Sequence, residues 1–152
     1  MSNEHVCEIA LLKKEHAESM AFIRAACFPY DIWSKETFES FCDELWGNVI
    51  GWMAVYENRE VGFILARQVI DTAEILSFAV LPDFQCKGIG RQLLNQLMDT
   101  IEVPLFLEVS VDNKSAIYLY ESAGFKIMTT RKNYYNMPGH MGSKDAYLMR
   151  CG

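Results

Sequence analysis

Phe78-Ala79-Val80-Leu81-Pro82-Asp83-Phe84-Gln85-Cys86-Lys87-Gly88-Ile89-Gly90-Arg91 is the stretch on which the reading of this 152-residue chain turns. The apolar run from Ile75 to Val80 reads as the end of a strand, closed by Pro82-Asp83. Leu93, Leu94, Leu97 and Met98 recur at helical spacing and predict an amphipathic helix that begins near Gly88. A tight strand-to-helix turn leaves the first backbone N–H groups of the helix without intrahelical acceptors. Together with the helix dipole they make an anion site. Glycine at 88 and 90 lets a phosphate approach the backbone without a Cβ clash, and Lys87 and Arg91 can add positive charge. The loop is not a Walker loop, because no Gly-Lys-Ser/Thr follows, and it lacks the Rossmann Gly-x-Gly-x-x-Gly spacing. By itself the hexapeptide also suits a glycine turn that merely starts a helix. The strand before it and the helix after it are the context a phosphate loop requires.

Outward from this stretch, the pattern alternates between strand and helix. Toward the N-terminus, Ala17, Met20, Ile23 and Cys27 predict a helix that stops near Pro29. Ser34 can cap a second helix, with Phe38, Phe41, Cys42 and Leu45 as its buried stripe. Val49–Tyr56 and Val61–Val69 read as hairpin partners around the polar turn Glu57-Asn58-Arg59-Glu60, and Ala73–Val80 is the third strand. Toward the C-terminus follow a short strand Leu105–Val109 and a helix Asn113–Ser122 with Gly124 as its stop. Phe125–Arg131 and Asp145–Arg150 are the last two strands. The order predicts an α/β chain, a mixed sheet with helices on its faces. No repeat or linker interrupts it, so residues 1–152 are expected to form a single domain.

Composition narrows the function classes. Hydrophobic residues make up 51% of the chain, enough for a core without metal or disulfide support. A net charge of −6 argues against a general nucleic-acid binder and is compatible with a cationic acceptor. Cys7, Cys27, Cys42, Cys86 and Cys151 are odd in number and contain no Cys-x-x-Cys pair, and His5, His16 and His140 lack ligand spacing. No metal and no disulfide framework are expected. No basic leader followed by an apolar run is seen after Met1, and no apolar stretch is long enough to span a bilayer, which points to the cytoplasm.

Three further residues carry candidate chemistry. Glu108 interrupts the apolar run Leu105-Phe106-Leu107-Glu108-Val109. A partly buried acid there can serve as a general base, whereas on a half-exposed strand it is simply an outward-facing residue. Asn113 can cap the next helix and still contact a ligand through its amide. Tyr120 lies on that helix, where an aromatic residue either packs in the core or presents a phenol to a cleft as a general acid. Spacing alone does not choose between these readings. Cys86, at a helix start, is a rival nucleophile, but no histidine lies in an obvious activating position.

Phe78 through Arg91 resembles motif A of the GNAT superfamily of N-acetyltransferases. Leu107-Glu108-Val109, Asn113 and the run Ala116-Ile117-Tyr118-Leu119-Tyr120-Glu121-Ser122-Ala123-Gly124-Phe125 resemble its next motif. Phe28-Pro29, Trp33-Ser34, Thr37-Phe38, Arg131-Lys132-Asn133-Tyr134-Tyr135 and Asp145-Ala146 are similar to RimI-type enzymes, which acetylate the N-terminal alanine of a small-subunit ribosomal protein. The resemblance implies a GNAT fold, a mostly antiparallel twisted sheet of about six to seven strands flanked by about four helices. It implies acetyl-CoA as co-substrate. Phe78, Ala79 and Val80 would border its acetyl and pantetheine groups. Cys86, Lys87, Gly88, Ile89, Gly90 and Arg91 would hold its pyrophosphate, and Asn113 would make a further contact. Glu108 would be the general base and Tyr120 the general acid, acting on a protein or peptide N-terminus. No nucleic-acid or membrane partner is implied, and a monomer is favoured. Another amine acceptor, or a non-catalytic acetyl-CoA-binding module, are the alternative readings.

The sequence departs from the family pattern at three places. Cys86 brings no charge where a basic residue or glutamine is frequent. Tyr30-Asp31-Ile32 separates Pro29 from Trp33 and alters one wall of the peptide site. The loop Asn136–Ser143 differs in composition.

Overall fold

The computed structural model describes residues 7–136 and 143–152. The elements are β1 (Glu8–Leu11), α1 (Ala17–Cys27), α2 (Lys35–Cys42), β2 (Val49–Tyr56), β3 (Arg59–Val69), β4 (Thr72–Val80), α3 (Ile89–Thr100), β5 (Leu105–Ser110), α4 (Lys114–Ser122), β6 (Lys126–Asn136) and β7 (Ser143–Cys151). The strands form one sheet in the order β1-β2-β3-β4-β5-β7-β6. Neighbours are antiparallel except β4 and β5, which run parallel.

The expected elements are all present, and one strand is added. β1 is a four-residue edge strand paired with β2. Glu8-Ile9-Ala10-Leu11 has no turn residues around it and little β-branching, so only its partner defines it. The β2–β3 turn is tighter than the expected four residues. Glu57 and Asn58 both take positive φ, 48° and 62°, and Tyr56 pairs directly with Arg59. Two left-handed residues give the turn whose twist matches the strands. Ser34 caps α2 as expected, its Oγ accepting from Thr37 N–H at 3.1 Å.

Strand alternation assigns residues to the two faces of the sheet. Phe63, Leu65, Ser77 and Ala79 share one face, while Gly62, Ile64, Phe78 and Val80 share the other. α1 and α2 cover the first face. The Phe38 ring meets Phe63 edge-on at 5.5 Å, and Arg24 Nη1 donates to Ser77 Oγ at 2.8 Å. α3 covers the second face with Ile89, Leu93, Leu94 and Leu97, all buried. Burial of each such side chain contributes about 2 kcal/mol.

Two irregularities in β4 prepare the site. Leu65 pairs with Ser77 but Ala66 pairs with Ile75, so Leu76 is an extra residue, a bulge that bends the strand. β4 then pairs with β5 only through Ala73↔Leu105 and Glu74↔Phe106. From Ile75 onward the two parallel strands share no further pairs, and a gap opens between their C-terminal ends.

Candidate active site

The gap has backbone donors on its β4 side. Leu81 N–H donates to Val61 O at 2.8 Å, so alternation turns Ala79 N–H toward β3 and the N–H groups of Phe78 and Val80 toward the gap. Val80 O, on the gap side, accepts from Cys27 Sγ at 3.1 Å and Gln85 Nε2 at 2.9 Å. Burial pushes the Cys27 thiol above its ordinary pKa, so it stays a protonated donor.

The loop beyond β4 turns sharply. Cys86 (φ 62°) and Gly88 (φ 82°) both lie in the left-handed region, and Gly88 is the N-cap of α3. The first intrahelical bond of α3 is Gln92 N–H to Gly88 O at 3.0 Å. The amides of Ile89, Gly90 and Arg91 therefore precede the hydrogen-bonded ladder at the positive end of a 12-residue helix. A Cβ on Gly90 would meet Leu119 Cδ2 and Phe78 Cζ at 3.6 Å, an ordinary contact. The protein itself does not need glycine there. A ligand lying against the backbone does. Cys86 and Lys87 are exposed, while the Ile89 side chain is in the core, leaving only its amide to the loop. Arg91 Nη2 donates to Ser122 Oγ at 2.8 Å and ties α3 to α4. This donor set suits a pyrophosphate.

The other candidates reach the gap from both faces. Ala73 and Ile75 lie on the α3 face, as do Leu105, Leu107 and Val109, so Glu108 projects from the face that carries α1 and α2. Glu108 Oε1 lies 3.2 Å from Arg131 Nη1 of β6. Oε2 is buried and has no hydrogen-bond partner among the described residues. Tyr120 comes from the opposite face. It is 7% exposed, with its ring 6.2 Å from Phe78 and 5.6 Å from Phe125. Asn113 caps α4, its Oδ1 accepting from Ala116 N–H at 3.3 Å.

A profile of the Acetyltransferase (GNAT) family matches residues 17–125. The chain belongs to the GNAT acetyltransferase family. Its GNAT relatives include the [ribosomal protein bS18]-alanine N-acetyltransferase of Salmonella typhimurium, 41% identical over 130 residues, which are 83% of this chain and 82% of that one. The enzyme of the same name from Escherichia coli K12 is 39% identical over the same shares. The crystal structure of the ribosomal-protein-S18-alanine N-acetyltransferase from Escherichia coli superposes with a TM-score of 0.85 at 31% identity, covering 96% of this chain and 93% of that one. Arabidopsis thaliana NAA60 in complex with acetyl-CoA shares the fold, with a TM-score of 0.80 at 21% identity over 95% and 97% of the two chains. This GNAT chain is accordingly an N-acetyltransferase of RimI type.

Two further polar residues, Arg24 beside β4 and Arg131 beside β5, were not singled out in the sequence. Arg24 is 7% exposed and bonds both Ser77 and Asp31. Its signal was present in the sequence: it lies four residues after Met20 and three before Cys27, on the apolar stripe of α1. Arg131 reaches Glu108 only because β7 lies between β5 and β6, a pairing that local pattern cannot reveal. Residues 137–142 of the loop that departs from the family pattern, like Met1–His5 and His140, lie outside the described residues. Among the described residues, no group of His, Cys, Asp and Glu could hold a metal ion, and no helix is long and apolar enough to cross a membrane.

Proposed function

We propose that residues 1–152 act as a single cytoplasmic N-acetyltransferase domain. It moves the acetyl group of acetyl-CoA to the N-terminal α-amine of a protein, alanine first, with ribosomal protein bS18 as the acceptor. The observation that carries this reading is 41% identity, across four-fifths of both chains, to an enzyme named for that alanine.

The chemistry needs no acyl-enzyme. The pyrophosphate of acetyl-CoA rests on the amides of Ile89, Gly90 and Arg91, with Lys87 and the Cys86–Gly88 backbone alongside. Phe78, Ala79 and Val80 border the thioester, and Asn113 adds a contact from the start of α4. An α-amine has a pKa near 8, so Glu108 has only a modest proton to remove, directly or through water. The amine nitrogen then attacks the acetyl carbonyl. The N–C bond forms, and the carbonyl oxygen takes the negative charge, facing Val80 N–H. When the C–S bond breaks, the sulfur leaves as thiolate and takes a proton from the Tyr120 hydroxyl, and the phenolate regains a proton as the acylated nitrogen sheds its second one to become the neutral amide. Base and acid approach the gap from opposite faces of the sheet, which suits a reaction that takes a proton from one reactant and gives one to the other.

A peptide panel tests the acceptor. Hexapeptides beginning with Ala, Ser or Met are compared with polyamines and aminoglycosides for acetyl-CoA turnover. The Ala peptide is expected to give the highest kcat/KM. A polyamine or aminoglycoside turned over faster would replace this acceptor, and acetyl-CoA binding without turnover of any amine would point to a binding module.

A further inference from the structure

Arg131 belongs to β6, yet its partner Glu108 stands on β5, and β7 lies between the two strands. The register shows how the side chain makes that crossing. Arg131 pairs with Ala146 of β7, and Ala146 pairs with Ser110 of β5. Glu108 lies two residues before Ser110 and shares its face. Arg131, Ala146 and Glu108 therefore project from the same side of the sheet. Two strand spacings, about 9–10 Å, separate β6 from β5, a distance that the two long side chains span together. A large residue at position 146 would stand in their path. Alanine puts only a methyl group there, and Ala146 is fully buried.

The contact is one-sided. Arg131 Nη1 lies 3.2 Å from Oε1, whereas Oε2 is buried without a hydrogen-bond partner among the described residues. The Arg131 side chain is 53% exposed, so solvent screens the pair and it adds little to stability. What the pair does fix is the orientation of the carboxylate. The last torsion of a glutamate is broad and roughly two-fold, so either oxygen can take either place. A cation on one side makes the two oxygens unequal.

We propose that Arg131 is a positioning residue: reaching over Ala146 to hold Oε1, it leaves Oε2 of Glu108 as the oxygen that takes the acceptor's proton. The proposal rests on the general-base reading of Glu108 above. It gives Arg131 no contact with either substrate, and its effect passes entirely through Glu108. Loss of the guanidinium then slows proton removal and leaves the binding of both substrates alone.

The test compares Arg131→Gln, Arg131→Lys, Glu108→Gln and the double variant Arg131→Gln/Glu108→Gln, with the amine turned over fastest in the panel above as acceptor. Arg131→Gln is expected to lower kcat roughly tenfold, with KM for the acceptor and for acetyl-CoA within about twofold of wild type. Arg131→Lys, which keeps a cation, recovers most of that loss. In the Glu108→Gln background, Arg131→Gln costs less than about twofold in the residual rate, because the base it positions is gone. Unchanged kcat in Arg131→Gln, a loss confined to acceptor KM, no recovery with lysine, or the same tenfold loss in the Glu108→Gln background overturns the proposal. A fully active Glu108→Gln overturns the general-base reading itself, and the positioning role with it.

Discussion

Arg131 Nη1 lies 3.2 Å from Glu108 Oε1, while the other carboxylate oxygen of Glu108 is buried without a hydrogen-bond partner among the described residues. An unsatisfied buried carboxylate oxygen costs stability. It also leaves one acceptor lone pair ready for a proton-bearing group, as a general base requires. Glu108→Gln keeps the shape and removes the base. It is expected to lower kcat by roughly tenfold to a thousandfold. Acetyl-CoA affinity, read by calorimetry, stays within about twofold. Full activity in this variant removes Glu108 from the mechanism.

Tyr120 separates packing from chemistry. Tyr120→Phe keeps the ring contacts with Phe78 and Phe125. A drop in kcat of about tenfold or more, with the unfolding transition little changed, is the expected outcome. A large loss of stability at unchanged kcat would assign the phenol to packing alone.

Gly88 and Gly90 are expected to answer substitution in different ways. Gly88 has φ +82°, so an alanine there is strained by about 1 kcal/mol or more whatever the ligand. At Gly90 a Cβ makes only ordinary contacts and gains helix propensity of roughly 0.5–1 kcal/mol. Gly90→Ala should therefore leave Tm unchanged or raised while acetyl-CoA binding weakens. Thermal unfolding and binding measured on the same sample check the two signs.

The thiols report both exposure and pH. Cys86 is exposed, and Cys7, Cys27 and Cys42 are pushed above the ordinary thiol pKa, chiefly by burial. Brief treatment with iodoacetamide near neutral pH should label Cys86 first, and acetyl-CoA should slow it. Cys86→Ala should retain activity under the direct transfer proposed above, and a loss of turnover would favour an acyl-enzyme instead. For the raised thiols the protonated form is the one stabilised by folding. Their contribution is complete below the unfolded thiol pKa and is lost as pH rises through the folded values. Replacing Cys27 by Ala should flatten the alkaline decline in stability, measured by denaturant unfolding across that range.

Much of this architecture could be read along the chain, because its signals are local. The turn into α3 announces itself by Gly88, Gly90 and the helical stripe after them, and Ser34 and Asn113 cap the helices they precede. What stayed hidden depends on distant pairing. β1 exists only against β2, and the β4–β5 gap comes from a bulge at Leu76 and from pairing that stops after Glu74. The surroundings of Glu108 require β6 and β7 to lie beside β5. For the same reason its choice between base and surface residue was open in sequence, and so was the choice for Tyr120 between core and cleft.

The most direct measurement incubates ribosomal protein bS18 bearing a free N-terminal alanine with this chain and acetyl-CoA, and locates any acetyl group by mass spectrometry. One acetyl group on the alanine α-amine, absent with Glu108→Gln, is the result predicted. An unmodified alanine under conditions where acetyl-CoA binds, or acetylation confined to lysine side chains, would contradict it.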